Sequence, residues 1–170
     1  MAAVNSRGKV IALSIVAVGV VVLAASCRAP GPVDPVVEPF ENAQKEVERT
    51  LLDLLGAAER KDFVRLEALH LYGPKFSKWD GRGPGRLDAE ATRNAERAGI
   101  EALDSFRATV EELKVDVFGQ VAVATFVMQY EAVAFGQTSQ TKVRATLVWV
   151  KVDLGWKIVH EHFSPLPAKQ

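Results

Sequence analysis

The hydrophobic pattern of the chain changes near Thr109, and the change predicts helices first and a sheet afterwards. Before this point apolar residues recur at steps of three and four, which is the spacing of one face of a helix. Three helices are predicted, over residues 40–60, over residues 62–71, and from Asp88 onward. Asp62 and Asp88 are suitable caps because an aspartate side chain can accept hydrogen bonds from the free amides of a helix start. The apolar stripe of the third helix consists of Ala91, Ala95, Ala98, Ala102 and Phe106.

From Thr109 onward the chain has the pattern of β-strands, rich in Val, Thr, Phe and Trp. The connections between them contain glycine and are short, which predicts antiparallel neighbours. The segment VAVATFVM, residues 121–128, is apolar on both faces, so we expect helices on one side of it and a partner subunit on the other. Helices followed by a sheet of about four antiparallel strands give an α+β fold. The predicted strands cover residues 109–118, 121–133, 141–152 and 156–163.

The N-terminal segment differs in kind from the rest of the chain. Arg7 and Lys9 precede an uncharged apolar run over residues 10–26, which is typical of a secretory signal. Cys27 follows small residues in LAASC, which resembles the lipid-attachment signal of bacterial lipoproteins; an uncleaved anchor or an ordinary signal peptide are the alternatives. We therefore expect an exported, membrane-associated protein. Its predicted parts are a signal or anchor over 1–27, a proline-rich tether over 28–39 and a folded domain over 40–167.

Composition and charge mainly exclude classes of function. The chain has 21 Lys plus Arg and 21 Asp plus Glu, so its net charge of zero gives no reason to expect a nucleic-acid partner. A single cysteine excludes an internal disulfide and the metal sites built on cysteine pairs. We expect no cofactor.

The candidate chemistry lies in the last predicted strand, WKIVHEHFS, residues 156–164. Alternation along a strand separates His160 and His162 from Glu161. His70 is the third and last histidine, and a zinc site would need all three to converge. Histidine pairs on strands more often serve packing or interfaces, so a metal at His70, His160 and His162 is the less favoured interpretation. Trp156 is expected on the same face as the two strand histidines.

This order of elements, ending in GWKIVHEHFS, resembles the nuclear transport factor 2-like superfamily, and within it the SnoaL-like domain. The last strand is also similar to that of the association domain of calcium/calmodulin-dependent kinase II. The resemblance spans residues 40–167 and depends most on 156–164 and on Trp149, seven residues before Trp156. It implies a cone, in which a strongly curved sheet wraps around the helices and leaves a cavity at its open end. The superfamily contains isomerases, cyclases, dehydratases and non-catalytic modules, so the fold alone does not select a function.

The resemblance also implies which face of the last strand lines the cavity. In the ketosteroid isomerases and the kinase association domains, cavity residues of this strand stand at the positions of Glu161 and Phe163. Trp156, His160 and His162 would then lie on the convex back of the sheet, as an interface or secondary site that supports a homodimer.

The cavity is expected to be aromatic and apolar. The arginines of the kinase cavity align with Gln129, Leu147 and Phe163, so a basic pocket for a carboxylate ligand is not expected. For any single aromatic residue, simple core packing is the alternative. The candidate pocket residues are Tyr72, Phe76, Trp79, Phe106, Gln129, Trp149, Glu161 and Phe163.

These observations lead to two main hypotheses. If Glu161 faces an apolar cavity, loss of hydration should raise its pKa and suit it for proton transfer; the alternative is a salt bridge, for example to Arg144. No partner that would complete a catalytic set is recognised, so the first hypothesis is a membrane-tethered module that binds a small apolar ligand or assembles as a dimer, without catalysis. The second is a small isomerase, cyclase or dehydratase acting on an apolar carbonyl compound through Glu161, or through His160 and His162. A chaperone-like role in the cell envelope is a third possibility.

Overall fold

The computed structural model describes residues 34–81 and 83–166. The predicted signal or anchor over 1–27, Cys27 included, lies outside the described residues, as does the tether up to residue 33. Within the described part of the chain, no helix is long and apolar enough to cross a membrane.

The three predicted helices are present as α1 (Glu41–Glu59), α2 (Phe63–Leu69) and α3 (Ala89–Glu101). Asp62 and Asp88 cap α2 and α3, because their side chains accept hydrogen bonds from the backbone N–H of Arg65 at 3.0 Å and of Ala91 at 2.9 Å. The starts of α2 and α3 were therefore readable from the sequence.

The predicted stripe of α3 is wrong in two respects. The helix ends at Glu101, so Phe106 lies in the following strand. Ala91, Ala95 and Ala98 are exposed, and Thr92 is the buried residue of the helix. The reason is that α3 covers a pocket with Thr92, Ala95 and Glu96 and packs against the core through Ala89 and Ile100, so the predicted alanine stripe is not buried.

The sheet has five strands: β1 (Ser77–Trp79), β2 (Ser105–Phe118), β3 (Val121–Ala134), β4 (Gln137–Val152) and β5 (Gly155–Pro165). Strands β2 to β5 form the predicted antiparallel meander, and the order across the sheet is β1-β5-β4-β3-β2. The expected count of about four strands omits β1, which pairs parallel to β5 and makes the sheet mixed. The curved, unclosed sheet with its helices confirms the α+β class and the cone.

A β-bulge in β5 corrects the predicted position of Trp156. Val148 and Trp149 of β4 pair with His160 and Ile158, which leaves Val159 as an extra residue. Such an extra residue shifts the alternation of the strand by one position. Trp156 is therefore buried on the concave face, on the same side as Glu161, and does not share the convex back with the histidines.

The core occupies one half of the concave face. It packs α1 and α2 against the sheet, with Leu51, Leu147, Trp149 and Ile158 among its fully buried side chains. The other half of the concave face is not filled, and the pocket lies there.

Candidate functional site

A pocket of about 430 Å³ lies between the sheet and all three helices. This volume is within the range of about 300–1,000 Å³ that is usual for small-molecule sites. Its walls are mostly apolar and come from the second half of α1, from α3, and from the ends of β2 to β5 nearest α3. The pocket can therefore enclose a small molecule with an apolar body.

Four ionisable side chains meet in one wall of this pocket. His70 follows α2, Lys78 lies in β1, Glu96 in α3 and Glu161 in β5, and all four line the pocket. Glu161 is 2% exposed, His70 6% and Lys78 9%. Charged groups are rarely so deeply buried unless they are paired. We call these four residues the charged cluster.

The pairing of β1 with β5 brings Lys78 to Glu161. The two residues are register partners on parallel strands, and their side chains point to the same, concave side. Lys78 Nζ lies 2.7 Å from Glu161 Oε2 and 2.5 Å from Glu96 Oε1. It also lies 5.0 Å from the centre of the Phe163 ring. One ammonium group therefore joins two carboxylates from different elements.

His70 is fixed at both ring nitrogens. Its Nδ1 donates to the carbonyl of Leu66 at 2.7 Å, which directs Nε2 toward Glu161 Oε1 at 3.2 Å. The ring also stacks on Tyr72, with centroids 4.8 Å apart. A side chain held at three points orients its neighbours and has little freedom to move.

The charged forms of Glu161 and Lys78 stabilise each other. Burial alone would raise the pKa of Glu161, but Lys78 and the hydrogen bond from His70 hold this pKa well below its ordinary value. Burial alone would lower the pKa of Lys78, but Glu161 and Glu96 raise it above its ordinary value. The expectation of a raised pKa for Glu161 is therefore wrong, because its partners outweigh desolvation. These partners are not Arg144, which pairs with Ser164 across the sheet.

The pKa of Glu96 is shifted in the opposite direction from that of Glu161. Burial and the negative charge of Glu161 raise the pKa of Glu96 above its ordinary value, against the effects of Lys78 and His70. Tyr72 donates its hydroxyl to Glu96 Oε2 at 3.0 Å, and burial with the charge of Glu96 raises the pKa of Tyr72, which keeps it a donor. Two nearby carboxyl groups whose pKa values are driven apart are a pattern of acid–base sites.

The structure places the sequence candidates in several environments. Phe106, Glu161 and Phe163 line the pocket, whereas Tyr72 lies behind Glu96. Phe76 and Trp149 are buried in the core and do not line the pocket. The two remaining candidates, Trp79 and Gln129, lie on the convex face.

The three histidines do not converge. His160 and His162 lie on the convex face, where Ser77 Oγ is 2.9 Å from His160 Nδ1, while His70 is on the concave side. Among the described residues, a set that could hold a metal ion is instead His70, Glu96 and Glu161, with ligand atoms within 4.8 Å of one another. An ion there would have to displace the Lys78 ammonium from between the carboxylates.

Sequence reasoning missed Lys78 and Glu96. A signal for Lys78 existed in FSKWD, because alternation in a strand puts the lysine on the face opposite Ser77 and Trp79. Glu96 gave no signal, since it is one of several charged residues on an exposed helix.

A family model described as a SnoaL-like domain matches residues 47–169 of the chain, in agreement with the resemblance seen in its last strand. No curated protein matches the chain significantly.

Solved structures with the same fold come from several bacteria. A nuclear transport factor 2-like superfamily protein from Salmonella enterica is 25% identical, with a TM-score of 0.68, over 76% of this chain and 94% of its own. A proposed dehydratase of that superfamily from Streptomyces avermitilis is 21% identical, with a TM-score of 0.69, over 77% of this chain and 100% of its own. A proposed scytalone dehydratase from Novosphingobium aromaticivorans is 15% identical, with a TM-score of 0.65, over 72% of this chain and 83% of its own.

Proposed function

The chain belongs to the SnoaL-like domain family, and we propose that it is a small-molecule enzyme that moves a proton on a largely apolar carbonyl compound. Dehydration of a hydroxy ketone and isomerisation of an unsaturated ketone are reactions of this kind. The observation that carries the proposal is the charged cluster in the wall of an apolar pocket, with Glu96 beside an ionised Lys78–Glu161 pair. Perturbed ionisable groups in a cleft are candidates for catalysis.

Lys78 is suited to stabilise negative charge on a substrate oxygen. An ammonium group has three N–H donors, and Glu161 and Glu96 accept two of them. The third can donate to a carbonyl oxygen in the pocket and stabilise the enolate that forms when a neighbouring proton leaves. Glu161 keeps this ammonium charged and in place, which makes Glu161 a positioning residue instead of the base expected from the sequence.

Glu96 is the proposed proton carrier. As a carboxylate it would accept the proton from the carbon next to the substrate carbonyl, while the electron pair of that C–H bond moves into the enolate. In a dehydration Glu96 then gives this proton to the departing hydroxyl, which leaves as water as the new C=C bond forms. In an isomerisation the proton returns to a different carbon. A raised pKa supports both halves of such a cycle.

The similar structures support the dehydratase form of this proposal. Two of them are described as proposed dehydratases, and this chain shares their fold. The charged cluster of the present chain supplies the independent reason to extend the reaction class to it.

The test is turnover of a panel of β-hydroxy ketones, followed by the ultraviolet absorbance of the unsaturated ketone product. Glu96→Gln is expected to lower kcat by about 10²–10⁴-fold, which is the usual contribution of a general acid–base group. Glu90→Gln, an exposed position of the same helix, serves as the matched control and should retain activity. Full activity of Glu96→Gln, or binding of these β-hydroxy ketones by the wild type without turnover, would contradict the proposal.

We also propose that the convex face of the sheet forms a homodimer. Val123 and Val148 are directly opposite each other on β3 and β4, and both are half-buried on the face that none of the described helices covers. Sedimentation of the full-length protein should therefore give a dimer, and Val148→Asp should give a monomer. A wild type that sediments as a monomer at all concentrations would contradict this.

Export and tethering through a lipid on Cys27 are proposed on the sequence pattern alone. Labelled palmitate should be incorporated by the wild type and not by Cys27→Ser. Equal labelling of both would exclude Cys27 as the site of attachment.

A further inference from the structure

One polar group in the pocket wall is not used by the proposed mechanism. Thr92 of α3 lines the pocket and is fully buried. Its Oγ1 has no hydrogen-bond partner among the described residues. A buried hydroxyl without a partner destabilises the folded state, so such a group in a pocket wall indicates a contact that a ligand completes.

We propose that Thr92 determines specificity by binding a second oxygen of the substrate, so that the pocket takes compounds with two separated oxygen functions. This inference rests on the proposed function, because it assigns the other end of the same substrate. The carbonyl oxygen would lie at Lys78, with the carbon that loses the proton beside Glu96, and the second oxygen at Thr92.

The helix sets the distance between Glu96 and Thr92. Thr92 and Glu96 are four residues apart on α3, so they lie on the same side of the helix with Cβ atoms about 5–6 Å apart. Two oxygens on opposite sides of a six-membered ring have a separation of this order. The substrate class is therefore a neutral ring compound with a carbonyl and a hydroxyl across the ring.

The surroundings of Thr92 allow such a contact to form. Thr92 is the buried residue of α3, while Ala91 and Ala95 of the same helix are exposed. The helix is held by polar pairs, such as Arg97 with Glu67 at 3.4 Å, and by Ala89 and Ile100, which pack against the core. Because Thr92 Oγ1 is buried, α3 has to shift slightly to admit a ligand oxygen beside it.

The experiment compares binding of 4-hydroxycyclohexanone and cyclohexanone to the full-length protein by NMR titration. The wild type is expected to bind the hydroxy compound about tenfold more tightly, since a neutral hydrogen bond contributes up to roughly that factor. Thr92→Val keeps the shape of the side chain but removes the hydroxyl, so the preference should disappear. Thr92→Ser keeps the hydroxyl and should retain the preference.

Two further measurements serve as controls for this test. Thr92→Val should unfold at the same temperature as the wild type or higher, because it removes an unpaired buried polar group. Thr125→Val, the same change on an exposed position of β3, should leave the binding preference unchanged.

Three results would overturn the inference: an unchanged preference in Thr92→Val, a wild type without preference, or a wild type that binds neither compound. Because binding is measured without turnover, failure of this inference is distinguishable from failure of the proposed proton transfer, which is judged by the activity of Glu96→Gln.

Discussion

The side chains of β5 that point to the concave side have different surroundings before and after the bulge. Before the bulge at Val159, Trp156 and Ile158 pack into the apolar core. After it, Glu161 and Phe163 line the pocket. The first half stabilises the fold by burying apolar surface, whereas the second half buries an ion pair. The comparison shows that a single extra residue lets one strand serve both the core and the site.

The two halves should respond differently to substitution. In the core half, a substitution should lower the free energy of unfolding only through lost packing. In the site half the cost comes from leaving a buried charge without its partner.

The largest effect is expected in the core beside the first half of β5, at Trp149 of β4, which pairs with Ile158. This side chain is fully buried, and its indole N–H has no partner among the described residues, so its contribution is packing. Trp149→Ala should lower the free energy of unfolding by about 3–5 kcal/mol in urea denaturation. Trp79→Ala is the control, since Trp79 is 42% exposed, and it should cost far less. Equal losses would show that the core is not where the structure places it.

A smaller but still large effect is expected from Glu161→Gln in the site half. The substitution preserves shape and removes the charge that faces Lys78 and His70. Breaking a buried pair costs about 3–5 kcal/mol, and the lower end of this range applies because Glu96 remains beside Lys78. Glu48→Gln on the exposed face of α1 is the control. A loss below that of the control in urea denaturation would mean that the pair is hydrated and not buried.

The pH dependence of stability should also distinguish the two halves of β5, because His70 contacts Glu161 in the second half. Burial alone would lower the pKa of His70, but its hydrogen bond to Glu161 raises it above the ordinary value, so the folded state binds this proton more tightly than the unfolded state. Its stabilising effect is complete below about pH 6.5, the ordinary value for histidine, and is lost as pH rises through the folded value.

His70→Gln removes this titration. The free energy of unfolding should therefore fall less steeply above about pH 6.5 in His70→Gln than in the wild type, as measured by urea denaturation across that range. Parallel curves for the two proteins would show that His70 is not coupled to Glu161.

The smallest effect is expected on the convex face. His162 lies in the second half of β5 but is exposed and points away from the pocket. His162→Ala should change the free energy of unfolding by no more than about 0.5 kcal/mol. A loss like that of Glu161→Gln would require a contact that the structure does not contain.

Most of the fold was predictable because its signals are local. The caps at Asp62 and Asp88 and the change from helical to strand period are visible in short windows of sequence. The three-residue β1 was not counted because three residues are too few to identify a strand from alternation alone, and its pairing with β5 joins Ser77 to the distant His160. Trp156 was placed on the wrong face because alternation assumes an unbroken strand, and the bulge at Val159 depends on the neighbouring strand.

The candidate site was predictable only in part. Glu161 and Phe163 were placed in the cavity because a family resemblance supplied the face of the strand. Lys78 and Glu96 became visible only when four separate elements met in one wall. The sign of the pKa shift of Glu161 depends on these partners, so burial alone gave the opposite direction.

The central claim is that the charged cluster separates two carboxyl groups into a permanent anion and a proton carrier. The most direct measurement is a pH titration of the side-chain carboxyl ¹³C signals, assigned with Glu96→Gln and Glu161→Gln. The structure predicts that Glu96 titrates above the ordinary glutamate pKa of about 4.3 and Glu161 below it. Titration of both groups near the ordinary value would contradict the account.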